Sequence, residues 1–185
     1  AKILNDEARE LEAAGVDVVQ FDEPAFNVFF DEVRDWGVRA LERAAEGLAC
    51  KTAVHICYGY GIEANTAWKK TLGSEWRQYE ETFPLLQASI IDQVSLECHN
   101  SRVPMELIGL LDGKDVLAGA IDVTTDHIET PQEVAATIRE ALKYVTPDHL
   151  YPCTNCGMVP LARKVAKGKL RALAAGAAMV RAELT

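Results

Sequence analysis

The alternation of short apolar strands with longer helices constrains the fold of this chain more than any other feature. Strands rich in valine and isoleucine are predicted at residues 16–21, 51–57, 92–97, 116–122 and 149–152. Helices are predicted at residues 1–14, 27–46, 75–90, 102–111, 131–145 and 158–182. Strands that alternate with helices in this way indicate an α/β fold with a parallel sheet.

Five βα units are too few to close an eight-stranded barrel. The sheet is therefore either open and doubly wound, or the C-terminal part of a (β/α)8 TIM barrel whose first three units are absent. Candidate functional residues follow nearly every strand, which favours the barrel, because a doubly wound sheet concentrates them at one switch point. We expect residues 1–185 to form a single domain, since a chain of this length with 49% hydrophobic residues can bury one core.

Composition argues against two classes of function. The net charge of −9 disfavours binding to nucleic acid, which requires a basic surface. No apolar run approaches the roughly 20 residues needed to span a membrane, and the N-terminus lacks a signal-peptide pattern. The first residues, from Ala1 onward, have the character of the middle of a helix, so we expect the chain to belong to a longer polypeptide. Five cysteines, an odd number, favour reduced thiols in the cytoplasm.

The second predicted strand ends in a pair of candidate metal ligands. Because successive side chains of a strand alternate between its faces, His55 and Cys57 share one face. Val54 and Ile56 share the other face, where apolar side chains can pack against the helices. The His-x-Cys pattern therefore predicts an imidazole and a thiol that point together toward the inside of the barrel.

The third predicted strand ends in a carboxylate on the inward face. Glu97 shares that face with Gln93 and Ser95, while Val94 and Leu96 share the other. An inward carboxylate is costly unless it is paired or bound to a metal. Glu97 is therefore a candidate metal ligand, and the alternative is a glutamate in a salt bridge inside the mouth of the barrel.

Cys156 directly follows the last predicted strand. Gly157 allows a tight turn there, and the N-terminus of the following helix favours a thiolate. Cys153 and Cys156 could instead form a redox pair or half of a zinc knuckle, but the chain lacks the second CxxC that a knuckle requires. Imidazole, thiolate and carboxylate together suit Zn²⁺. The predicted ligands of this zinc ion are His55, Cys57, Glu97 and Cys156.

Further carboxylates follow the first and fourth predicted strands. Asp22 can reach the mouth of the barrel, and Glu23 comes directly after it. Asp122 ends the fourth strand, and the alternation assigns the small residues Ala118 and Ala120 to its face, which would leave space for a ligand. The alternative for each is a structural role, such as a carboxylate at a helix N-terminus.

Four motifs in register carry a resemblance to a known family. Residues 20–25, 55–57, 95–97 and 155–157 resemble motifs in the catalytic barrel of cobalamin-independent methionine synthases, in order and spacing along nearly the whole chain. This resemblance implies a zinc-dependent methyltransferase that acts on the thiol of homocysteine. It also implies that this chain is the C-terminal portion of the barrel, and that Asp22 holds the amino group of the substrate.

Other substrate and catalytic roles are also implied by the resemblance. Glu23, Glu97 and Asp122 are candidate substrate-binding residues. Family members carry a histidine shortly after the counterpart of Asp122, thought to shuttle the proton of the thiol, whereas this chain has Thr124 there. We expect His127 to be the catalytic residue that replaces that histidine, from a shifted position, unless the proton takes another path.

The resemblance leaves the partners open. The methyl donor could be a methylated folate, a methyl corrinoid or the product of an accessory protein. Alternative functions are a zinc-dependent alkyl transferase acting on another thiol, such as coenzyme M, and a non-catalytic domain in which zinc ties strand ends together. A half-barrel exposes two sheet edges, so we expect a homo-oligomer or association with a missing N-terminal half, without which the fragment could be inactive.

Overall fold

A computed structural model of the chain describes residues 1–23, 25–60 and 63–185. Five parallel strands form one sheet: β1 (Val18–Asp22), β2 (Lys51–Ile56), β3 (Gln93–Glu97), β4 (Asp115–Ile121) and β5 (Leu150–Thr154). The helices are α1 (Lys2–Ala13), α2 (Ala25–Val28), α3 (Phe30–Val33), α4 (Gly37–Ala45), α5 (Glu63–Lys69), α6 (Tyr79–Gln87), α7 (Pro131–Ala141) and α8 (Arg163–Leu184). Two 3₁₀ helices span Met105–Leu111 and Pro147–His149.

The order of the strands identifies the winding of the sheet. Each strand pairs in parallel with the next one along the chain, in the order β1-β2-β3-β4-β5. A doubly wound sheet reverses direction at a switch point, and this sheet has no reversal among its five strands. A constant direction of winding is the pattern of a barrel, which confirms the predicted fold class.

The main core lies between the sheet and the helices. Val54 and Ile56 of β2, with Val94 and Leu96 of β3, are fully buried and belong to one cluster with side chains of α6. A second cluster joins the end of β4 to α7 and α8. Burial of one such aliphatic side chain contributes about 1.5–3 kcal/mol. Because these four side chains occupy the helix-facing side, the polar residues between them face the concave side of the sheet.

Several helices differ from the sequence prediction. The helix predicted at residues 27–46 is divided into α2, α3 and α4, and Gly37 at the start of α4 packs so closely against the Phe26 ring that a Cβ there would lie 2.3 Å from Cε1. The segment predicted as a helix at 102–111 is 3₁₀ instead, and α5 was not predicted. Among the described residues, no helix has both the length and the apolar character to span a membrane.

The pairing of β4 with β5 contains a β-bulge that changes which side chains face the helices. Ala118 pairs with Leu96 in the helix-facing core, and Ala120 belongs to the second cluster with α7 and α8, so the assignment of these two alanines to the face of Asp122 was wrong. The register then shifts between Gly119 and Ile121. Ile121 packs with α7 and α8, so by alternation the next side chain, that of Asp122, points to the concave side.

Candidate metal centre

Three predicted ligands come together at the C-terminal edge of the sheet. The three candidate ligand atoms, a ring nitrogen of His55 and the sulfurs of Cys57 and Cys156, all lie within 4.8 Å of one another. The two sulfurs are 3.9 Å apart. In a flat sheet, β2 and β5 would be separated by about 14 Å, three strand spacings. The strand ends and the turns that follow them therefore converge, and this brings residues 99 positions apart into contact.

The ring of His55 is oriented by a serine on the neighbouring strand. Its Nδ1 lies 2.9 Å from Ser95 Oγ, while its Nε2 is buried and has no hydrogen-bond partner among the described residues. A buried polar atom without a partner is costly, and coordination of a metal would satisfy Nε2. Cys153 Sγ lies 3.9 Å from the same Ser95 hydroxyl, so this thiol contacts the residue that orients the ring.

The spacing of the sulfurs fits zinc. Zinc–sulfur bonds of about 2.3 Å in a tetrahedral site place two sulfurs about 3.8 Å apart. The Cys57 and Cys156 sulfurs are separated by 3.9 Å. Two thiols and an imidazole nitrogen, all within coordination reach of one point, form a donor set that zinc prefers.

The two thiols share one proton. The hydrogen bond with Cys57, together with the nearby His55, lowers the pKa of Cys156 to about 4. The same hydrogen bond and burial raise the pKa of Cys57 above its ordinary range. At neutral pH the pair therefore carries one thiolate before any metal binds.

The turn that carries Cys156 is fixed by Asn155. The Asn155 Oδ1 accepts a hydrogen bond from Cys98 N at 3.1 Å, and its Nδ2 donates to His99 O at 2.7 Å. Gly119 makes room for this side chain, because a Cβ at that position would lie 2.3 Å from Asn155 Oδ1. Sequence patterns indicated no role for Asn155 or Gly119, although the Asn-Cys-Gly motif was a signal that pointed to Asn155.

Glu97 lies beside the three ligands but outside their group. It is 2% exposed, and burial raises its pKa. One carboxylate oxygen accepts a hydrogen bond from Tyr58 N at 2.9 Å, and the other accepts one from the Tyr60 hydroxyl. These contacts account for an inward carboxylate in the absence of metal, and coordination by Glu97 stays a prediction.

The segment after Cys57 is held by a lysine that sequence reasoning missed. Lys69 Nζ donates to Gly59 O at 2.6 Å and lies 4.4 Å from the centre of the Tyr60 ring. This cation–π contact fixes the ring whose hydroxyl binds Glu97. No periodic pattern in the sequence pointed to Lys69, because α5 has only seven residues.

The carboxylates after β1 differ in their surroundings. Asp22 pairs in register with His55, is exposed, and accepts a hydrogen bond from Gln20 Nε2 at 2.9 Å. Glu23 accepts one from Phe26 N at 2.8 Å, as a carboxylate at a helix N-terminus does. Pro24, which belongs to the predicted motif, lies outside the described residues. The structure thus brings Asp22 next to a ligand-bearing strand.

The other two predicted residues follow β4. Asp122 is buried, and its Oδ1 accepts hydrogen bonds from Thr124 N at 2.8 Å and Thr124 Oγ1 at 2.6 Å. The side chain of His127 is 59% exposed, with Nε2 3.6 Å from Glu133 Oε1 at the start of α7. The structure does not bring His127 into the ligand group, and its catalytic role stays a prediction.

Comparison with protein families identifies one match over nearly the whole chain. The family described as cobalamin-independent synthase, catalytic domain, matches residues 1–179. Methionine synthase from Saccharolobus islandicus (strain Y.G.57.14 / Yellowstone #1) is 35% identical over 187 residues, which cover 100% of this chain and 50% of that protein. Methionine synthase from Sulfurisphaera tokodaii is 32% identical, with 100% and 49% covered. The chain spans about half the length of these curated relatives.

Comparison with solved structures gives a consistent result. The chain is similar to a B12-independent methionine synthase from Shewanella sp. W3-18-1 in complex with selenomethionine, with 73% identity and a TM-score of 0.94. That match covers 99% of this chain and 54% of the other. A vitamin-B12 independent methionine synthase from Listeria monocytogenes, described as putative, has 18% identity and a TM-score of 0.63 over 95% of this chain and 52% of the other. At that identity the likeness concerns the fold alone.

Proposed function

The chain belongs to the cobalamin-independent methionine synthase family, within its catalytic domain, and from this membership we propose that it carries the zinc site of a methyltransferase that methylates homocysteine. The observation that carries the proposal is the convergence of His55, Cys57 and Cys156 within 4.8 Å. We further propose that residues 1–185 form one domain, completed into a barrel by a further half. Its location is proposed to be cytoplasmic, where thiols stay reduced.

The proposed ligands are His55 through Nε2, Cys57 and Cys156 through sulfur, and Glu97 as the fourth. Support comes from the unpartnered Nε2, the 3.9 Å separation of the sulfurs and the position of Glu97 next to them. When bound, zinc supplies Lewis-acid activation, which lowers the pKa of a substrate thiol from about 8.5 so that the nucleophilic thiolate predominates. The protein's own share is to hold the ligands in place and to exclude water from the concave side.

The proposed substrate contacts are carboxylates that attract the amino group of homocysteine. Asp22 pairs in register with His55 of the neighbouring strand. Asp122 comes directly after Ile121, whose side chain faces the helices, so alternation assigns Asp122 to the concave side. Both carboxylates are therefore available there. Glu23 and Glu97 complete the proposed set. The Shewanella protein was solved in complex with selenomethionine, an amino acid of the same class as the proposed product, which supports an amino-acid site in this chain.

The methyl donor is proposed to be a methylated folate, a methyl corrinoid or the product of an accessory protein. In each case the sulfur attacks the methyl carbon in line, the carbon–donor bond breaks with its electron pair leaving on the donor, and the thiol proton passes to a base. Binding both reactants in a fixed orientation contributes to the rate because it removes translational and rotational freedom in advance.

Metal analysis tests the proposal on this chain. We expect about one zinc per chain, with much less retained by Cys57→Ser and Cys156→Ser. Cys50→Ser is the matched control, since Cys50 lies outside the ligand group. Addition of homocysteine should contribute one further sulfur neighbour in zinc-edge X-ray absorption, and an equal concentration of coenzyme M should not.

Two outcomes would contradict the proposal. Absence of zinc from folded, reduced protein would exclude a zinc-dependent reaction at these residues. Zinc with four protein ligands that no thiol perturbs would instead favour the structural zinc domain.

A further inference from the structure

We propose that the buried Lys169–Glu129 ion pair and Thr124 together position the Asp122 carboxylate, so that these three residues determine the preference of the site for thiols that carry an amino group. The inference rests on the proposed function, because it takes an amino-acid thiol as the substrate. Lys169, Glu129 and Thr124 are positioning residues in this scheme; of these four residues Asp122 alone contacts the substrate, and it adds to the contact proposed for Asp22.

The ion pair is the most deeply buried pair of charges in the described part of the chain. The side chains of Lys169 and Glu129 are both fully inaccessible to solvent, and Lys169 Nζ lies 3.0 Å from each oxygen of the carboxylate. Removing two charges from water costs several kcal/mol each, and apolar residues of similar volume are often at least as stabilising. Stability alone therefore does not explain the pair, whereas a need for fixed geometry does.

The pair ties the segment after β4 to α8. Glu129 Oε1 accepts a hydrogen bond from the Asp122 main-chain N–H at 2.9 Å, at the point where the strand ends. Lys169 Nζ also donates to the main-chain oxygen of His127, within the same segment. Both contacts converge on one ammonium–carboxylate unit, so the path of the chain from Asp122 to Glu129 is fixed from inside the protein.

Thr124 fixes the side chain whose backbone the ion pair holds. Its N–H and hydroxyl both donate to Asp122 Oδ1, at 2.8 and 2.6 Å, which fixes the position of that oxygen. The other oxygen, Oδ2, accepts no hydrogen bond from any residue in the described ranges, so it can accept one from a ligand. The β-bulge between Gly119 and Ile121 points this side chain to the concave side.

Charge and position indicate which part of a ligand this oxygen binds. The three metal-ligand candidates lie at the same edge of the sheet and would bind a sulfur atom, not an ammonium group. An oriented carboxylate at a fixed position nearby suits the protonated amino group of the same molecule. Lys169, Glu129, Thr124 and Asp122 together are called the clamp below. The clamp should affect binding of homocysteine and not of 1-propanethiol, which has the same carbon chain to the sulfur but no amino or carboxylate group.

The decisive variant replaces both charges, because removing one would leave the other unpaired in the core. Lys169→Met/Glu129→Met keeps the volume and removes the acceptor of the Asp122 N–H. We expect it to fold and bind zinc as the wild type does, to bind homocysteine about tenfold more weakly and to bind 1-propanethiol unchanged. Thr124→Val, at an exposed position, should weaken homocysteine binding several-fold.

Arg139→Met is the matched control, since Arg139 of α7 pairs with Glu183 of α8 at 2.6 Å but at the surface, so it also removes an ion pair made by α8. Dissociation constants for both thiols are measured by calorimetry on zinc-loaded protein. Equal weakening of both thiols, or unchanged homocysteine binding in both test variants, would overturn the clamp. If the wild type itself does not prefer homocysteine to 1-propanethiol, the proposed function fails and the clamp with it.

Discussion

The two nitrogens of His55 have different surroundings, and that difference assigns their roles. Nδ1 is occupied by the Ser95 hydroxyl, whereas Nε2 is buried beside two thiols with no other partner in the described part of the chain. A hydrogen bond to one ring nitrogen fixes both the tautomer and the orientation of the ring. Ser95 thereby prepares Nε2 to coordinate a metal before the metal arrives.

Removing the Ser95 hydroxyl should therefore weaken the metal site without removing a ligand. We expect Ser95→Ala to lower zinc affinity about 10–100-fold, the range typical for partners of metal ligands. Competition with a chromophoric chelator measures the affinity. Ser89→Ala is the control, because that buried hydroxyl bonds Leu86 O away from the site. Equal affinities in the two variants would contradict the assigned role.

The shared proton of Cys57 and Cys156 predicts how zinc binding depends on pH. The lowered pKa of Cys156, about 4, means that this thiol is already ionised at pH 7.5, while the raised pKa of Cys57 keeps its proton in place. Zinc should then displace about one proton per ion, whereas two ordinary thiols would lose nearly two. Affinity should rise about tenfold per pH unit near neutrality. Calorimetry in buffers of different ionisation enthalpy measures the number of protons released per zinc ion. A value near two would contradict the shared proton of Cys57 and Cys156.

At the scale of the element, a glycine near the end of β4 makes room for the turn that carries Asn155 and Cys156. A Cβ on Gly119 would lie 2.3 Å from Asn155 Oδ1 and 2.8 Å from Leu96 O. One of these neighbours is backbone, so the strand itself would have to move. The turn that presents Cys156 therefore depends on a glycine in the neighbouring strand.

Gly119→Ala should destabilise the fold by about 1–3 kcal/mol, as overpacking does, and should weaken zinc binding as the turn shifts. Gly109→Ala is the control, since no atom lies within 4 Å of a Cβ placed there. Urea unfolding monitored by circular dichroism gives the difference in free energy of unfolding. A stability loss no larger in Gly119→Ala than in Gly109→Ala would count against the close packing.

The sequence predicted strands better than helices, for a physical reason. All five strands begin and end within two residues of their predicted bounds, because short runs of valine and isoleucine between turns leave few alternatives. The segment 27–46, predicted as one helix, corresponds to three short helices that begin at Ala25. Tertiary contacts such as that of Gly37 with Phe26 decide these breaks, and periodicity does not reveal them.

Site residues could be predicted where strand alternation alone determines direction. His55 and Cys57 share a face by alternation, and Cys156 needs only to follow a strand end. The inward direction of Glu97 also follows from alternation, but its contacts with Tyr58 and Tyr60 depend on the path of a turn. The bulge before Asp122 could not be predicted, because its cause is a mismatch between two strands.

At the scale of the whole molecule, the sheet ends in two edges. Among the strands that the structure describes, β1 pairs only with β2, and β5 pairs only with β4. Ile3, Leu4 and Val18 are exposed on the β1 side, which includes an edge strand and the helix that precedes it. An exposed apolar edge favours association with another chain or another segment.

A charge on the β1 edge should therefore reduce self-association of the 185-residue chain. We expect Val18→Lys to lower the weight-average mass in sedimentation experiments, because lysine blocks edge pairing. Ile90→Lys is the control, since Ile90 is also exposed but lies between α6 and β3, away from both edges. Equal masses for the two variants would exclude association through this edge.

An ion held by Cys57 and Cys156 would also act as a cross-link in the polymer sense. The two residues are 99 positions apart, so their connection closes a loop that contains all of β3, β4 and β5. For a covalent bridge over a loop of that length, the lost entropy of the unfolded chain corresponds to about 4.7 kcal/mol in the simplest model. A chelator that removes the ion would then also remove this cross-link, which spans about half of the chain, and would speed unfolding.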